Sequence, residues 1–403
     1  MLPESQKENR INITEKKPMV NPYFMVISGR FKMAKYITLC VLVVFLLATI
    51  VLFRDEITVE NLRYLVKDFE MGDNVNLGST DTVTFDSDLQ VNLALYKGDL
   101  VVAGSTYFTL SDLQGNRRLS ESSSFSNPVI VSSDKYLLVY GLSEYTYTIY
   151  NTFSKLHSDT FNYPITCAAV SDSGKYAIVT RSAEYRSVVY IYNESFERIG
   201  AVYKDKYVMD VQFNKDGSEL LITSLFSKDG SYSTEIVNYV PFSESASSTI
   251  TVDGSMPLKT GYNKDGGYSI VYDNKIEFYD KDFILKNTYE FPANLLLITS
   301  IVGDEYTVIT YNENIVGDDI KVCAFNSNGE MVLDASADGK PKKLKCRDDN
   351  VFVLLEGKIC KISVESGDVV YYDTERNALE LLIVNEKTAL VGFSDHTVKI
   401  SIE

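Results

Sequence analysis

From about residue 75 to the C-terminus, the chain repeats one pattern of polar and apolar positions. A turn that carries Asp, Gly, Ser or Asn precedes a short apolar strand, and a second strand then often ends in Tyr-Asn or Tyr-Asp. Two clear copies of this pattern occupy residues 171–193 and 263–280. Short apolar runs rich in Val, Ile and Tyr are typical of β-strands. The 3.6-residue periodicity that helical repeats need is absent from this region.

The spacing of these copies predicts a β-propeller. Anchored on the turn residue, the period averages about 41 residues. A period near forty with several short strands per copy is typical of propeller blades, each a four-stranded sheet. The sequence therefore predicts an all-β fold with eight blades, or with seven if one copy is an insertion. The turn residues are Asp99, Asp134, Ser173, Asp216, Asp265, Asp304, Asp349 and Glu386.

The last copy is incomplete, which indicates how the ring closes. Strands a to d of a blade are counted from the axis to the rim, and in blade three they are expected at 165–170, 176–181, 188–193 and 198–203. The last copy supplies only three strands, at 378–385, 388–394 and 397–403. Residues 81–86 precede the first full copy and are expected to add the missing outer strand. That pairing would remove two exposed strand edges.

Residues 36–53 form an uncharged apolar run near the N-terminus. As a helix this run would extend roughly 27 Å, close to the hydrocarbon thickness of a bilayer. Charged residues bound it sharply on both sides, which disfavours a buried core helix. A cleaved signal peptide would have a shorter apolar run and a small-x-small cleavage site. The pattern predicts an uncleaved signal anchor, a single transmembrane helix.

The charges around this run give the expected domain order. Seven Lys or Arg against three Glu place residues 1–35 in the cytoplasm as a basic tail. Residues 54–74 are expected to form an amphipathic helix and linker, with Leu62, Leu65, Val66 and Phe69 on its apolar face. Packing on its own chain is favoured over a partner or the membrane surface. The propeller, residues 75–403, would then be extracytoplasmic, at the cell membrane.

These features together resemble a known group of proteins. The anchor, the linker and the stretch from Tyr163-Pro164-Ile165 to Tyr176 are similar to an uncharacterised family of Gram-positive bacterial proteins. That family has one N-terminal membrane anchor and a WD40- or quinoprotein-like propeller outside. The resemblance covers nearly the whole chain and implies a fold but no activity. The tryptophan motifs of quinoprotein dehydrogenases are missing, so no quinone cofactor is expected.

The charge and composition exclude one class of partner. The formal net charge is −16 although residues 1–35 are net positive, so the remainder is strongly acidic. An acidic domain repels phosphate backbones, and nucleic acid is therefore not expected as a partner. The chain has 28 Tyr and 20 Phe but no Trp, which again favours strands.

No catalytic constellation is found in the sequence. His157 and His396 lie near strand ends in different blades, without a second ligand at metal-binding spacing. Nucleophile elbows and phosphate-binding loops are absent. The three Lys-Asp-Gly segments are interpreted as tight turns rather than calcium loops. No metal and no cofactor are therefore expected, and an enzyme is less favoured than a binding protein.

The cysteines are predicted to be isolated apolar residues. Cys346 falls on strand a and Cys360 on strand c of blade seven, so roughly two strand spacings separate them. That distance exceeds the limit for a disulfide. Cys167 and Cys323 belong to other blades.

The b–c connections of blades one to four each present a tyrosine, mostly beside an acidic residue. Blades five, seven and eight have tight turns there, and blade six has a longer loop with Glu313, Asp318 and Asp319. These connections all lie on one face, so half of that face would be aromatic and acidic. The alternative is that each tyrosine merely opens strand c and packs on its neighbour. The candidate binding residues are Tyr107, Glu144, Tyr145, Glu184, Tyr185 and Tyr232.

The favoured function is a protein or peptide interaction module at the cell envelope. Tyrosines on a rim bring large contact area at low entropy cost, which suits binding. One alternative is a protein that binds or acts on cell-wall glycan. The other is an envelope sensor that signals through the membrane helix, although residues 1–35 are short for an output domain.

Overall fold

The computed structural model describes residues 22–52, 82–88, 90–241, 248–292, 296–303, 305–312 and 319–403. It divides into two compact units, residues 1–74 and 75–403. The first unit contains the helix α1, Pro22–Leu52. Within the described ranges, no helix has both the length and the apolar character needed to cross a membrane, so the transmembrane prediction for 36–53 is not supported. The predicted helix of 54–74 lies outside the described residues.

The second unit confirms the predicted eight-bladed propeller. Its described strands form eight four-stranded antiparallel sheets. The innermost strand of each blade contacts those of both neighbours, and β30 contacts β2 to complete the ring. Blades one to four consist of β2 (Asn92–Tyr96), β3 (Asp99–Ala103), β4 (Tyr107–Ser111), β5 (Arg117–Ser122); β6 (Pro128–Ser132), β7 (Leu137–Gly141), β8 (Thr146–Tyr150), β9 (Lys155–Thr160); β10 (Ile165–Val170), β11 (Tyr176–Thr180), β12 (Ser187–Tyr192), β13 (Arg198–Lys204); and β14 (Tyr207–Phe213), β15 (Leu220–Lys228), β16 (Ser231–Tyr239), β17 (Ser248–Asp253).

The second half of the ring repeats the same order. Blades five to eight consist of β18 (Pro257–Tyr262), β19 (Tyr268–Tyr272), β20 (Lys275–Tyr279), β21 (Leu285–Glu290); β22 (Leu296–Val302), β23 (Thr307–Asn312), β24 (Asp319–Phe325), β25 (Met331–Asp338); β26 (Pro341–Arg347), β27 (Asn350–Leu355), β28 (Lys358–Ser363), β29 (Val369–Asp373); and β30 (Glu380–Asn385), β31 (Thr388–Gly392), β32 (His396–Ser401), β1 (Thr82–Thr84). The strands predicted for blade three agree with these bounds to within one residue at each end.

Closure of the ring follows the sequence prediction. Strand β1 pairs antiparallel with β32, with Val83 opposite Thr397. Blade eight therefore takes its outer strand from the N-terminal side of the propeller and its other three strands from the C-terminus. Val83 is buried beside Leu93, Leu382 and Leu390, so the seam between the first and last blades has an apolar core.

The apolar core lies between the blades. Strand b is buried at every position in five blades, because the blade's two neighbours cover both of its faces. Aromatic rings fill part of these interfaces: between blades two and three, the hydroxyls of Tyr147 and Tyr176 are 3.2 Å apart. Tyr176 also stacks on Tyr192 with centroids 4.6 Å apart.

Hydrogen bonds between successive a–b turns add to this packing. The Lys135 Nζ donates to the carbonyl of Ser173 in the next blade at 3.1 Å. The Lys175 Nζ likewise donates to the carbonyl of Gly217 at 3.0 Å. The Tyr96 hydroxyl donates to the carbonyl of Lys135 at 2.7 Å. Each of these turns is thus tied to the turn that follows it around the ring.

A β-bulge recurs near the start of strand a in blades three to seven. A bulge places two residues opposite one on the partner strand and changes the direction of the local side chains. Met209 and Leu258 occupy two of these bulges and are exposed. In these strands, the alternation of side chains between the two faces therefore shifts by one residue at the bulge.

All five cysteines are free thiols. Cys346 and Cys360 lie on strands a and c of blade seven, as predicted. Cys323 and Cys360 are buried, and Cys167 and Cys346 are half-buried. Burial raises the pKa of the Cys346 thiol to about 12 and that of Cys360 to about 11. These thiols are therefore neutral apolar groups at ordinary pH.

Candidate functional site

One end of the propeller carries a concentration of exposed tyrosines. Because the four strands alternate in direction, the b–c connections and the d–a connections between blades emerge at the same end. Six tyrosines at this end of blades two to four are between 38% and 56% exposed. Among the described propeller residues, the one other tyrosine exposed to this degree is Tyr371, on the outer strand of blade seven. We call these six residues the tyrosine face: Tyr145, Tyr163, Tyr185, Tyr203, Tyr207 and Tyr232.

The centre of the tyrosine face lies where blades three and four meet. The rings of Tyr185 and Tyr203 are 5.0 Å apart between centroids. The Arg186 guanidinium lies 4.8 Å from the centroid of the Tyr207 ring, a cation–π distance. Tyrosine and arginine are among the residue types most enriched at the energetic centres of protein interfaces.

The loop that carries Tyr185 is held by its own hydrogen bonds. The Ser182 hydroxyl accepts from the backbone N–H of Tyr185 at 2.8 Å. The backbone N–H of Ser182 donates to the carbonyl of Tyr185 at 3.2 Å. Glu184 stands exposed within this turn. A pre-formed loop loses less conformational entropy on binding than a flexible one.

Glu144, another candidate residue, has a structural contact. Its Oε1 accepts from the backbone N–H of Ser126 at 2.6 Å, which ties two connections of blade two together. The carbonyl of Glu144 also accepts from the N–H of Ile165 at 2.6 Å. The neighbouring Tyr145 extends from this fixed backbone into solvent.

Tyr232 makes a specific contact with the next blade. Its hydroxyl donates to the Asp273 carboxylate at 2.9 Å, and this hydrogen bond raises the pKa of the tyrosine. Nearby, the Lys228 Nζ lies 2.8 Å from the Asp253 carboxylate, an exposed ion pair. The ring of Tyr232 remains accessible beside these polar groups.

Tyr107 does not belong to the tyrosine face. It opens strand c of blade one, as its spacing predicts, but it is buried. Its hydroxyl donates to the carbonyl of Asp86 at 2.5 Å. Asp88 holds the preceding turn by accepting from the N–H and the hydroxyl of Ser105, at 2.5 and 2.7 Å. The candidate binding role of Tyr107 is therefore inconsistent with its burial, and the alternative of simple packing describes this residue.

The sequence prediction did not include three tyrosines of the face. Tyr163 lies between β9 and β10, Tyr203 lies at the end of β13, and Tyr207 opens β14. All three belong to d–a connections, whereas the prediction rested on b–c connections alone. The tight b–c turns predicted for blades five, seven and eight are present. Glu313 and Asp318 of blade six lie outside the described residues.

A charged cluster lies beneath the tyrosines of blades three and four. Glu235 accepts from the ammonium groups of both Lys204, at 2.5 Å, and Lys206. Burial opposes ionisation of this carboxyl, but the hydrogen bonds from the two lysines lower its pKa overall. The Lys206 Nζ also lies 4.3 Å from the centroid of the Phe226 ring. The cluster joins strand d of blade three to strand c of blade four.

The histidines occupy unrelated places. The His157 ring stacks on Phe196 with centroids 5.1 Å apart. The His396 Nδ1 lies 2.6 Å from the Asp395 carboxylate, and its ring stacks on Phe393. Within the ranges that the structure covers, no group of three or more His, Cys, Asp or Glu side chains is arranged to hold a metal ion.

Solved structures with the same fold have little sequence in common with this chain. BamB from Moraxella catarrhalis is 12% identical with a TM-score of 0.53, and the match covers 80% of this chain and 99% of BamB. The C-terminal WD40 domain of Sif2 is 11% identical with a TM-score of 0.57, covering 80% and 97%. Sqt1 from Chaetomium thermophilum, bound to the N-terminus of the ribosomal protein L10, is 10% identical with a TM-score of 0.56, covering 79% and 98%. At this level of identity, the likeness establishes the propeller fold alone.

A comparison with curated proteins gives no match. A family model matches residues 76–402, which is almost the whole propeller. The chain therefore belongs to DUF5711, a family of unknown function.

Proposed function

We propose that this propeller is a protein-interaction module that binds a protein or peptide through the tyrosine face. The observation that supports this function is the concentration of six exposed tyrosines on one end of blades two to four. Leu142, Met209 and Leu258 add exposed apolar surface at the same end. Exposed aromatic and apolar side chains gathered in one place favour a binding surface over random scatter.

The chemistry of the face suits a protein ligand. Tyrosine offers a broad apolar ring and a polar hydroxyl with few rotatable bonds, so it gains contact area at low entropic cost. The fixed Ser182 turn and the stacked Arg186–Tyr207 pair limit the rearrangement needed on binding. Sqt1, a propeller of the same fold, is bound to the N-terminus of another protein. That precedent shows what the fold can do in Sqt1 and supports a peptide-sized ligand here only by analogy.

Photo-crosslinking in cells tests this function directly. A photoreactive amino acid at position 185 or 203 should give a discrete protein adduct. The same amino acid at position 371 provides the matched control, because Tyr371 has similar exposure, at 42%, but lies on blade seven. Adducts from 185 and 203 but not from 371 would support the proposal. Absence of adducts at all three positions, or equal adducts at all three, would contradict it.

Alanine variants provide a second test. Tyr203→Ala and Tyr185→Ala should weaken capture of the crosslinked partner, since each removes one of two rings that contact each other on the face. Tyr371→Ala should leave capture unchanged. All three side chains are exposed, so thermal unfolding should change little. Undiminished capture by the Tyr185→Ala, Tyr203→Ala double variant would refute a role for the face.

We also propose that the propeller works outside the cytoplasmic membrane and is attached there through its N-terminal segment. The uncharged run 36–53 and its basic N-terminal flank support this location. Protease added to intact cells should then digest the propeller, whereas a cytoplasmic marker should survive. Protection of the propeller until the cells are lysed would disprove this placement.

A glycan is the second candidate ligand. Tyrosine rings also stack on sugar faces, so the same exposed residues could bind cell-wall glycan. If no protein adduct forms, a glycan becomes the favoured ligand. Calorimetry with purified wall fragments distinguishes the two ligands. Heat of binding that disappears in the Tyr185→Ala, Tyr203→Ala double variant would favour a glycan, and traces without heat would exclude it.

A further inference from the structure

Three cavities in the described part of the propeller lie along its central channel, and one of them reaches Met209 and Leu258 near the tyrosine face. Their volumes are about 390, 400 and 420 Å³. The innermost strands form most of their walls, and Ser132 of blade two borders all three. The cavities are therefore neighbouring parts of one internal space. Each has the size of a site for a small metabolite.

The 420 Å³ cavity lies among blades seven, eight, one and two, and its charged lining is mainly basic. Lys345 and Arg347 come from β26, and Glu380 comes from β30. Lys343, which does not itself line the cavity, is a further basic residue of the same strand. Because these three basic residues alternate along β26 after its bulge, they share one face of the strand. Glu380 is the acidic residue on the facing strand β30.

One carboxylate cannot neutralise this group. The Glu380 carboxylate lies 2.8 Å from the Lys343 Nζ and 3.3 Å from the Lys345 Nζ, so two ammonium groups share a single negative charge. Arg347 adds a further positive charge. Its Nη1 donates to the carbonyl of Ile383 at 3.0 Å, which positions the guanidinium without neutralising it. Its contact with Asp348, at 3.6 Å, is an exposed pair and contributes little.

The far wall of the channel carries charges of both signs, since Asp172 lines the 390 Å³ cavity together with Lys215 and Lys259. Asp210 and Lys259 line the neighbouring 400 Å³ cavity together. The Thr260 hydroxyl donates to Asp210 at 2.9 Å and the Gln212 amide donates at 3.3 Å. Burial raises the pKa of the Asp210 carboxyl, so its ionisation is opposed there. Lys259 supplies the positive charge beside it.

The positive excess has an energetic consequence. Like charges on neighbouring positions of one strand face repel each other. In a chain of net charge −16, such a group is an exception to the overall charge. A bound anion would relieve the repulsion and would gain charge-assisted hydrogen bonds from ammonium and guanidinium groups.

We propose that the cavity among blades seven, eight, one and two binds a small organic anion, a carboxylate or phosphate compound, whose acidic group is held by Lys345 and Arg347. The Glu380 carboxylate competes with the ligand for the Lys345 ammonium and so lowers the affinity of the site for the anion. This site lies within the channel, and its occupancy does not depend on a partner at the tyrosine face.

Calorimetry and thermal unfolding of the full chain test the proposal, with inorganic phosphate, pyrophosphate and citrate as probes and glucose as the neutral comparison. At least one of the three anions should bind and raise the unfolding temperature, since a ligand that binds the folded state stabilises it. Binding of phosphates alone or of citrate alone would identify which acidic group the site accepts. Binding of glucose alone, or of none of the four, would overturn the proposal.

Two charge variants separate an anion site from structural ion pairing. Lys345→Gln removes a ligand but leaves Glu380 paired with Lys343, and it should weaken anion binding by roughly tenfold. Glu380→Gln removes the competing carboxylate and should strengthen binding. Lys155→Gln, an exposed lysine at the start of the outer strand of blade two, is the control and should change nothing.

Weaker anion binding in Lys345→Gln together with stronger anion binding in Glu380→Gln would support the anion site. Loss of a structural ion pair alone would change the affinity in the same direction in both variants. Equal affinity in Lys345→Gln and Lys155→Gln would refute it. If Glu380→Gln does not fold, the comparison between the two lysine variants still decides the outcome.

Discussion

The close approach of two successive turns leads to a quantitative prediction. Gly217 has a positive φ of 68°, in the left-handed region. A Cβ at this position would lie 2.6 Å from the Ser173 Oγ and 2.7 Å from the Ser171 Oγ in the neighbouring blade. Gly230 has a similar φ of 81°, but no atom lies within 4 Å of the position that a Cβ would take there. The two glycines therefore share backbone strain and differ in the space around them.

The expected cost follows from these two terms. The left-handed conformation costs a non-glycine residue about 1–2 kcal/mol, which is the full expected effect of Gly230→Ala. In Gly217→Ala the two serine hydroxyls must also move. They are 2.9 Å apart, and the Ser171 hydroxyl donates to the carbonyl of Lys175 at 3.0 Å. Losing one or two such hydrogen bonds adds about 1 kcal/mol each, for a total of about 2–4 kcal/mol.

Urea unfolding followed by far-ultraviolet circular dichroism measures both variants. Gly217→Ala should lose at least about 1 kcal/mol more stability than Gly230→Ala. Adding Ser171→Ala to Gly217→Ala removes one of the obstructing hydroxyls and should recover part of the difference. Equal losses in the two glycine variants, or no recovery in the double variant, would show that crowding by the two serine hydroxyls does not account for the loss of stability in Gly217→Ala.

Three further predictions concern pH, thiols and ring closure. Lys204 and Lys206 lower the pKa of Glu235 in the folded state. The contribution of Glu235 to the free energy of unfolding is therefore present above its usual pKa of 4.5 and is lost as pH falls through the lowered value. Urea unfolding of Glu235→Gln should depend less on pH in this acid range than that of the parent. In a Cys40→Ser background, the native propeller thiols should react slowly with an aromatic disulfide reagent at pH 8 and rapidly in urea. Cys323 is buried, and burial raises the pKa of Cys167, Cys346 and Cys360. Rapid reaction of the native protein would contradict this. A chain lacking residues up to 84 exposes the edge of β32 and loses buried Val83, so size-exclusion chromatography should show association that increases with protein concentration, and a stable monomer would disprove it.

The regular part of the fold could be predicted because each blade repeats it. The turn–strand pattern recurs at a spacing near 41 residues, so the strand order and the closing strand expected at 81–86 follow from the sequence, which left seven blades as the alternative to the eight observed. Strand ends differ by one or two residues, since pairing with the neighbouring strand decides where a strand ends. In the last copy, for example, the inner strand begins at Glu380 rather than at 378.

The site was less predictable because it depends on contacts between distant segments. Tyr107 is the first residue of its strand c, whereas Tyr145 precedes its strand c, so the two positions differ by one residue. The Tyr107 hydroxyl also donates to the carbonyl of Asp86, 21 residues away. The prediction grouped the two tyrosines because it did not resolve this one-residue difference. The positions of Tyr163 and Tyr203 on the same face could have been inferred, because d–a connections emerge at the same end as b–c connections. The lining of the channel could not, since the bulges in strand a decide which residues share a face.

The three-residue pairing of β1 with β32 also gives the propeller a defined mechanical weak point. Among the described residues, β1 at Thr82–Thr84 is the first part of the ring to receive tension applied through the N-terminal segment. The other blades are built from strands that are continuous in sequence, so they receive that tension only after the seam has opened. If the N-terminus is tethered and a partner pulls on the propeller, the β1–β32 pairing in blade eight would open before the strand pairing of any other blade.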